Sequence, residues 1–208
     1  MGGSGPRPVR AVLRYVGSVL MVSGSLLIAD AGVTLAWQEP VSAFMAEQEQ
    51  RELERELEDP PARVLRKQPL KGDSIGRIVI PKIDKTTYMI EGTDTKTLRK
   101  GPGHYPKTPL PGEHGTVAVA GHRTTYGAPF RKVDKLGRGN RVIVEMPYGT
   151  FTYRVQKVDI VDDSELSVIR KVGYNRLVLT ACHPLYSAAQ RIVVFARLID
   201  RGPARVAD

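Results

Sequence analysis

Two hydrophobic patterns divide the chain. Residues 16–37 read VGSVLMVSGSLLIADAGVTLAW, 22 residues with a single acid, Asp30, and no polar face recurring at helical spacing. A helix rises ~1.5 Å per residue and needs about 20 residues to cross the hydrocarbon core, so this segment predicts a transmembrane helix. From residue 72 onward, short β-branched runs are separated by Gly, Pro and Asn, which predicts an all-β barrel or sandwich. The runs fall at 75–80, 87–90, 116–120, 141–146, 150–161, 176–182 and 190–199. Short helices fit at 95–100, 129–136 and 164–171, and Pro147-Tyr148-Gly149 reads as a hairpin turn. Between the two regions, residues 43–58 lack Pro and Gly and favour helix. Asp59-Pro60-Pro61 ends that helix, and the chain to residue 71 reads as linker.

Charge follows the same divisions. The chain of 208 residues carries +9 overall. Residues 1–15 hold +3, 16–46 hold −2, 47–59 hold −5, and 60–208 hold +13 from 26 basic and 13 acidic residues. Arginines before the apolar segment and Trp37 at its far boundary fit a signal anchor with its N-terminus in the cytoplasm. The apolar stretch exceeds the 7–15 residues of a cleaved leader, which favours an uncleaved anchor. Asp30 lies about two turns from the outer end, where tilt or a water defect relieves it. The expected layout is a basic tip (1–15), the anchor (16–37), a helical stalk and linker (38–71), an extracellular domain (72–200) and a tail (201–208). With the basic body outside, nucleic-acid binding is disfavoured.

One cysteine excludes an internal disulfide framework and a multi-cysteine zinc site. Cys182 ends the run LVLTAC and precedes His183-Pro184. A buried small hydrophobe is one reading. A nucleophile at a pocket rim is the other, because an unpaired thiol in an oxidising compartment is a liability unless buried or used. A nucleophile needs a base or charged partner and an oxyanion donor. His183 is adjacent, and successive strand side chains point to opposite faces, so it is expected to be solvated rather than paired with the thiol. His104 and His114 sit among Gly and Pro in GPGHYPKTPLPGEHG. His122 follows TVAVAG and so lies at a strand end. Arg191 comes nine residues after Cys182; if 184–189 turn back, its guanidinium returns to the level of the thiol, although an ordinary salt bridge is an equal reading.

AVAGHRTTYGAPF and LVLTACHPLYSAAQRIVVFARL resemble the sortases, cysteine transpeptidases of Gram-positive cell surfaces. GPGHYP, GHRTTYG and CHP are most similar to the class E, housekeeping-type sortases of actinobacteria. The resemblance covers roughly residues 72–199 and implies a sortase-type closed barrel of about eight strands. It makes Cys182 the nucleophile, with His122 and Arg191 as its catalytic partners. Where the family reads Thr-Leu-x-Thr-Cys, this chain has Val178, Leu179, Thr180, Ala181 and Cys182, so two threonines are replaced. The backbone N–H at Ala181 is still available to an oxyanion, and Tyr126 is a candidate groove residue. The implied reaction cleaves an LPxTG- or LAxTG-type signal between Thr and Gly and passes the acyl group to a cell-wall amine. It needs no metal or cofactor. Asp159, Asp162, Asp163 and Glu165 are expected to cap a helix rather than hold calcium. Two other classes stand beside this reading. A papain-like peptidase conflicts with the order of His122 and Cys182. A non-catalytic module binding anionic wall polymer fits the +13 body and leaves Cys182 without a purpose. No aromatic plug occurs before residue 72, so the groove is expected to be open.

Overall fold

The computed structural model describes residues 7–36 and 40–204. They fall into two units, divided at Pro40. The first is α1 (Arg7–Ala36), whose stretch Val9–Val33 is long and apolar enough to cross a membrane. Trp37, the expected boundary aromatic, lies outside the described residues, as do the two chain ends.

The second unit contains α2 (Pro40–Glu58), α3 (Ala62–Leu65), α4 (Thr95–Lys100) and eight strands: β1 (Ser74–Ile80), β2 (Lys85–Glu91), β3 (Gly103–His104), β4 (Thr116–Ala120), β5 (Arg141–Met146), β6 (Gly149–Asp162), β7 (Arg176–His183) and β8 (Gln190–Gly202). The strands close into a barrel in the order β1-β2-β3-β4-β7-β8-β6-β5. Closure removes every sheet edge, which is how a small all-β domain avoids unpaired backbone. Seven strands sit where the apolar runs predict them. The eighth, β3, is two residues long and was not legible as a run. It pairs parallel to β2 and antiparallel to β4. The 14-residue β6 wraps the barrel with two register shifts against β8, the local bends that bulges introduce.

The barrel interior is filled by alternate residues, among them Ile78, Met89, Val119, Tyr153, Leu179 and Val194. Ala118, Val178, Val193 and Phe195 face the other way and form a second cluster outside the barrel, against Tyr105, Val161, Val168 and Ile169. Strands β4 and β7 are therefore buried on both faces, which explains why TVAVA and LVLTA read as continuous apolar runs rather than alternating ones.

The expected stalk is corrected in one respect. Helix α2 lies along the barrel, with Ser42, Ala46 and Leu53 buried on one face. Gln50, between them, satisfies its whole carboxamide: Nε2 donates to the carbonyls of Tyr88 (3.1 Å) and Lys100 (2.9 Å). Its Oε1 accepts from Tyr88 N (2.7 Å) and Thr87 Oγ1 (2.9 Å). The expected linker is also placed, since Val64 of α3 belongs to the barrel core and Arg63 grips Asp73 through two bonds of 2.7 and 2.6 Å.

Candidate active site

Three neighbouring strands carry the candidate residues to one end of the barrel. β7 and β8 pair antiparallel with Cys182 directly opposite Arg191. Directly opposed residues share a face, with Cβ atoms about 4.5–5.5 Å apart, so Arg191 returns to the level of Cys182 in the sheet. β4 and β7 pair in parallel, Ala118 beside Val178 and Ala120 beside Thr180. Gly121 N donates to Thr180 O at 3.0 Å, continuing that alignment. His122 is two residues beyond Ala120, as Cys182 is two beyond Thr180. Side-chain alternation puts 118 and 120 on the same outer face as 178, 180 and 182, and His122 follows just past the end of β4. The apolar outer cluster thus gives way, at the strand ends, to imidazole, thiol and guanidinium.

The turn after His122 is tightly determined. A Cβ at Gly121 would lie 2.5 Å from the Phe130 ring, so only glycine lets the chain pass there. The Phe130 backbone N–H in turn donates to His122 O at 3.1 Å and closes the loop after the histidine. Tyr126 (φ 51°) and Ala128 (φ 39°) occupy the left-handed region, strain that commonly gathers around functional loops. Tyr126 packs its ring 5.0 Å from that of His122 and sits under the Arg99 guanidinium at 5.6 Å. Its N–H donates to Ser42 Oγ at 3.3 Å, so α2 reaches the wall of the site.

His122 Nε2 is buried and has no hydrogen-bond partner among the described residues. Burial, and secondarily the Arg99 charge, hold its pKa below the ordinary imidazole value, so the ring rests neutral at neutral pH. Arg191 is held through Nη1 alone, to the carbonyls of Ala188 (2.8 Å) and Gln190 (3.0 Å). Across the ladder from it, Cys182 is a free, half-buried thiol. Ala181 is buried in the barrel core, so its methyl points away from the thiol and only its backbone is on offer.

His183 departs from expectation. It is not a solvated loop residue: Arg123 Nη1 donates to its Nδ1 at 2.9 Å. Arg123 is 4% exposed and its Nη2 also pairs with Asp134 at 3.2 Å. One buried guanidinium thus ties the residue after His122 to the residue after Cys182. His104 is structural, fully buried between Glu91 (2.8 Å), Thr108 (3.1 Å) and the Pro109 carbonyl (3.1 Å). Glu165 accepts from Ser167 N at 2.9 Å and caps a turn of 3-10 helix, as its sequence position suggested. Among the described residues no group of three or more His, Cys, Asp or Glu is placed to hold a metal ion. Sequence reading missed Arg99, Arg123 and the α2 contact. The Arg of GHR was visible but had no distinguishing signal of its own.

A family model described as a sortase domain matches residues 78–199. The chain belongs to the sortase family. It is 34% identical over 135 residues to sortase D of Bacillus subtilis, covering 63% of this chain and 67% of that one. It is 27% identical to sortase SrtE1 of Streptomyces coelicolor over 95% of this chain, which spans 60% of that relative's length. Among solved structures, sortase E of Streptomyces avermitilis matches with 33% identity and a TM-score of 0.61, over 65% of this chain and 93% of that one. The closed eight-stranded barrel is therefore a sortase barrel, and the chain is a cysteine transpeptidase with likeness to class E.

Proposed function

We propose that this sortase cleaves an LPxTG- or LAxTG-type sorting signal between Thr and Gly and transfers the protein to a cell-wall amine. The observation that carries this reading is the alignment of Cys182 with Arg191 across β7 and β8, with His122 two residues past the end of β4, the parallel neighbour of β7.

The Cys182 thiolate attacks the threonine carbonyl carbon, and the carbonyl electrons move to oxygen. The free edge of Arg191, a planar fork of donors, faces that oxyanion or the peptide backbone beside it. As the intermediate collapses, the C–N bond breaks and protonated His122 gives its proton to the departing glycine nitrogen. The depressed pKa makes imidazolium the minor form but a strong donor when present. The thioacyl enzyme is then attacked by the acceptor amine, whose proton returns to neutral His122 as the thiolate leaves. Residues 16–37 anchor the protein with its N-terminus in the cytoplasm, so Cys182 meets substrates that carry C-terminal sorting signals outside the cell.

The test mixes the full chain with a quenched LPxTG or LAxTG peptide and an amine. Wild type is expected to cleave, form a Cys182 acyl adduct and yield the amine-linked product, whereas Cys182→Ala does none of these. Absence of wild-type cleavage sinks the substrate assignment; cleavage that survives in Cys182→Ala sinks the nucleophile.

A further inference from the structure

The far end of the same strands carries an arrangement the reaction does not use. Arg141 of β5 lies directly opposite Arg154 of β6, Arg154 opposite Arg197 of β8, and Arg197 opposite Arg176 of β7. Four arginines therefore form one row across four adjacent strands. Their sequence neighbours Val142, Tyr153, Val155, Leu177 and Ala196 fill the barrel interior, so the row is on its outer face. Arg176 is covered, its Nη2 donating to the carbonyls of Val168 and Arg170. Arg141, Arg154 and Arg197 are exposed. None of these four arginines forms an ion pair among the described residues.

Like charges placed directly opposite one another destabilise a sheet. This barrel sets three exposed guanidiniums on successive strands about 4.8 Å apart with no carboxylate between them. Beside the row is a concave groove of about 680 Å³, lined by Arg154, Arg197, Arg138 from the loop before β5, and Ile199. The Arg197 guanidinium lies 4.9 Å above the ring of Tyr174. Strand geometry puts the row about 20 Å from Cys182, six residues back along β7.

We propose that this row is a binding track for a linear polyanion bearing repeated phosphate groups. The ligand class follows from the donors. All are arginines, whose fork matches phosphate oxygens two at a time, and the linear spacing offers successive phosphates a guanidinium on each next strand. A bilayer fits less well, because surface-lying elements insert an apolar face, and Ile199, 42% exposed, is the large apolar side chain in this groove.

The experiment uses the full chain in phosphatidylcholine nanodiscs, titrated with fluorescent linear polyphosphate. Arg154→Gln/Arg197→Gln is expected to weaken binding about tenfold and to lower the slope of log affinity against log salt by about two. Lys82→Gln/Lys107→Gln, equal in charge but off the row, changes affinity less than twofold. The thermal midpoint of the arginine pair variant is expected to hold or rise, since repulsion is relieved. Polyphosphate should also protect Arg154 and Arg197 from phenylglyoxal, while discs containing phosphatidylglycerol alone should not. No wild-type binding, equal losses in both pairs, or unchanged binding in the arginine pair overturns the track. Protection by the anionic discs overturns it in favour of a membrane face.

Discussion

Arg123 illustrates how much of the site rests on residues outside the reacting set. A buried guanidinium stays charged and needs partners, and here the partners are His183 and Asp134. Because Arg123 and His183 each adjoin a candidate catalytic residue, their bond fixes the relative position of the ends of β4 and β7. Lysine, with one point charge, cannot span both acceptors. Arg123→Lys is therefore expected to lower kcat about tenfold with little change in KM, as a loss of positioning would. His183→Asn, which keeps an acceptor, should retain more activity than His183→Ala; equal losses would leave Arg123 with a packing role only. Arg99 acts on His122 by charge. Arg99→Gln is expected to raise the His122 titration midpoint, because a like charge no longer opposes protonation, while burial still holds it below the ordinary value. At neutral pH the variant then holds more of the imidazolium that donates to the departing nitrogen, so the form that donates persists to a higher pH than in wild type. Following His122 by NMR across pH 4–8 checks the sign directly.

At the scale of elements, what was legible in the chain depended on how each element earns its place. β7 and β8 are apolar and close in sequence, so the return of Arg191 to Cys182 could be read from a nine-residue spacing. β3 could not, because two residues in GPGHYP carry no alternation; they are held by backbone pairing and by the bonds of buried His104. The docking of α2 was equally hidden. Its contact stripe is Ser42, Ala46, Gln50 and Leu53, small or polar at three of four positions, and no apolar periodicity announces it. The attachment is instead polar: one carboxamide with four bonds, joined by Ser74 Oγ donating to the Leu53 carbonyl and by the Lys100–Glu49 pair. Gln50→Ala would leave the carbonyls and N–H of β2 and α4 unmatched, and is expected to cost about 1–3 kcal/mol in chemical denaturation. Gln50→Glu, which removes the donor half while keeping the acceptor, should lie between alanine and wild type.

Over the whole molecule, charge is arranged by place rather than in bulk. The net +9 combines an acidic stretch, from Glu47 to Asp59, with a basic barrel on which one row of arginines crosses β5, β6, β8 and β7. Unpaired like charges repel, and salt screens them with a Debye length of about 10 Å at 0.1 M. The thermal midpoint is accordingly expected to rise between 20 and 300 mM sodium chloride. A midpoint that falls would mean that attractive pairs such as Arg63–Asp73 and Arg77–Glu145 outweigh the arginine row.

The parallel pairing of β4 with β7 has a kinetic consequence. Strands β7 and β8 can meet through a short turn, but β4 reaches β7 only after some sixty residues of intervening chain have been brought round. Such long closures carry the larger entropic cost and come late in folding. A chain newly emerged on the far side of a membrane would thus hold thiol and guanidinium together before the imidazole arrives. The proposed nucleophile would meet its proposed proton donor only when the barrel is nearly shut, and a half-folded molecule would hold those groups apart.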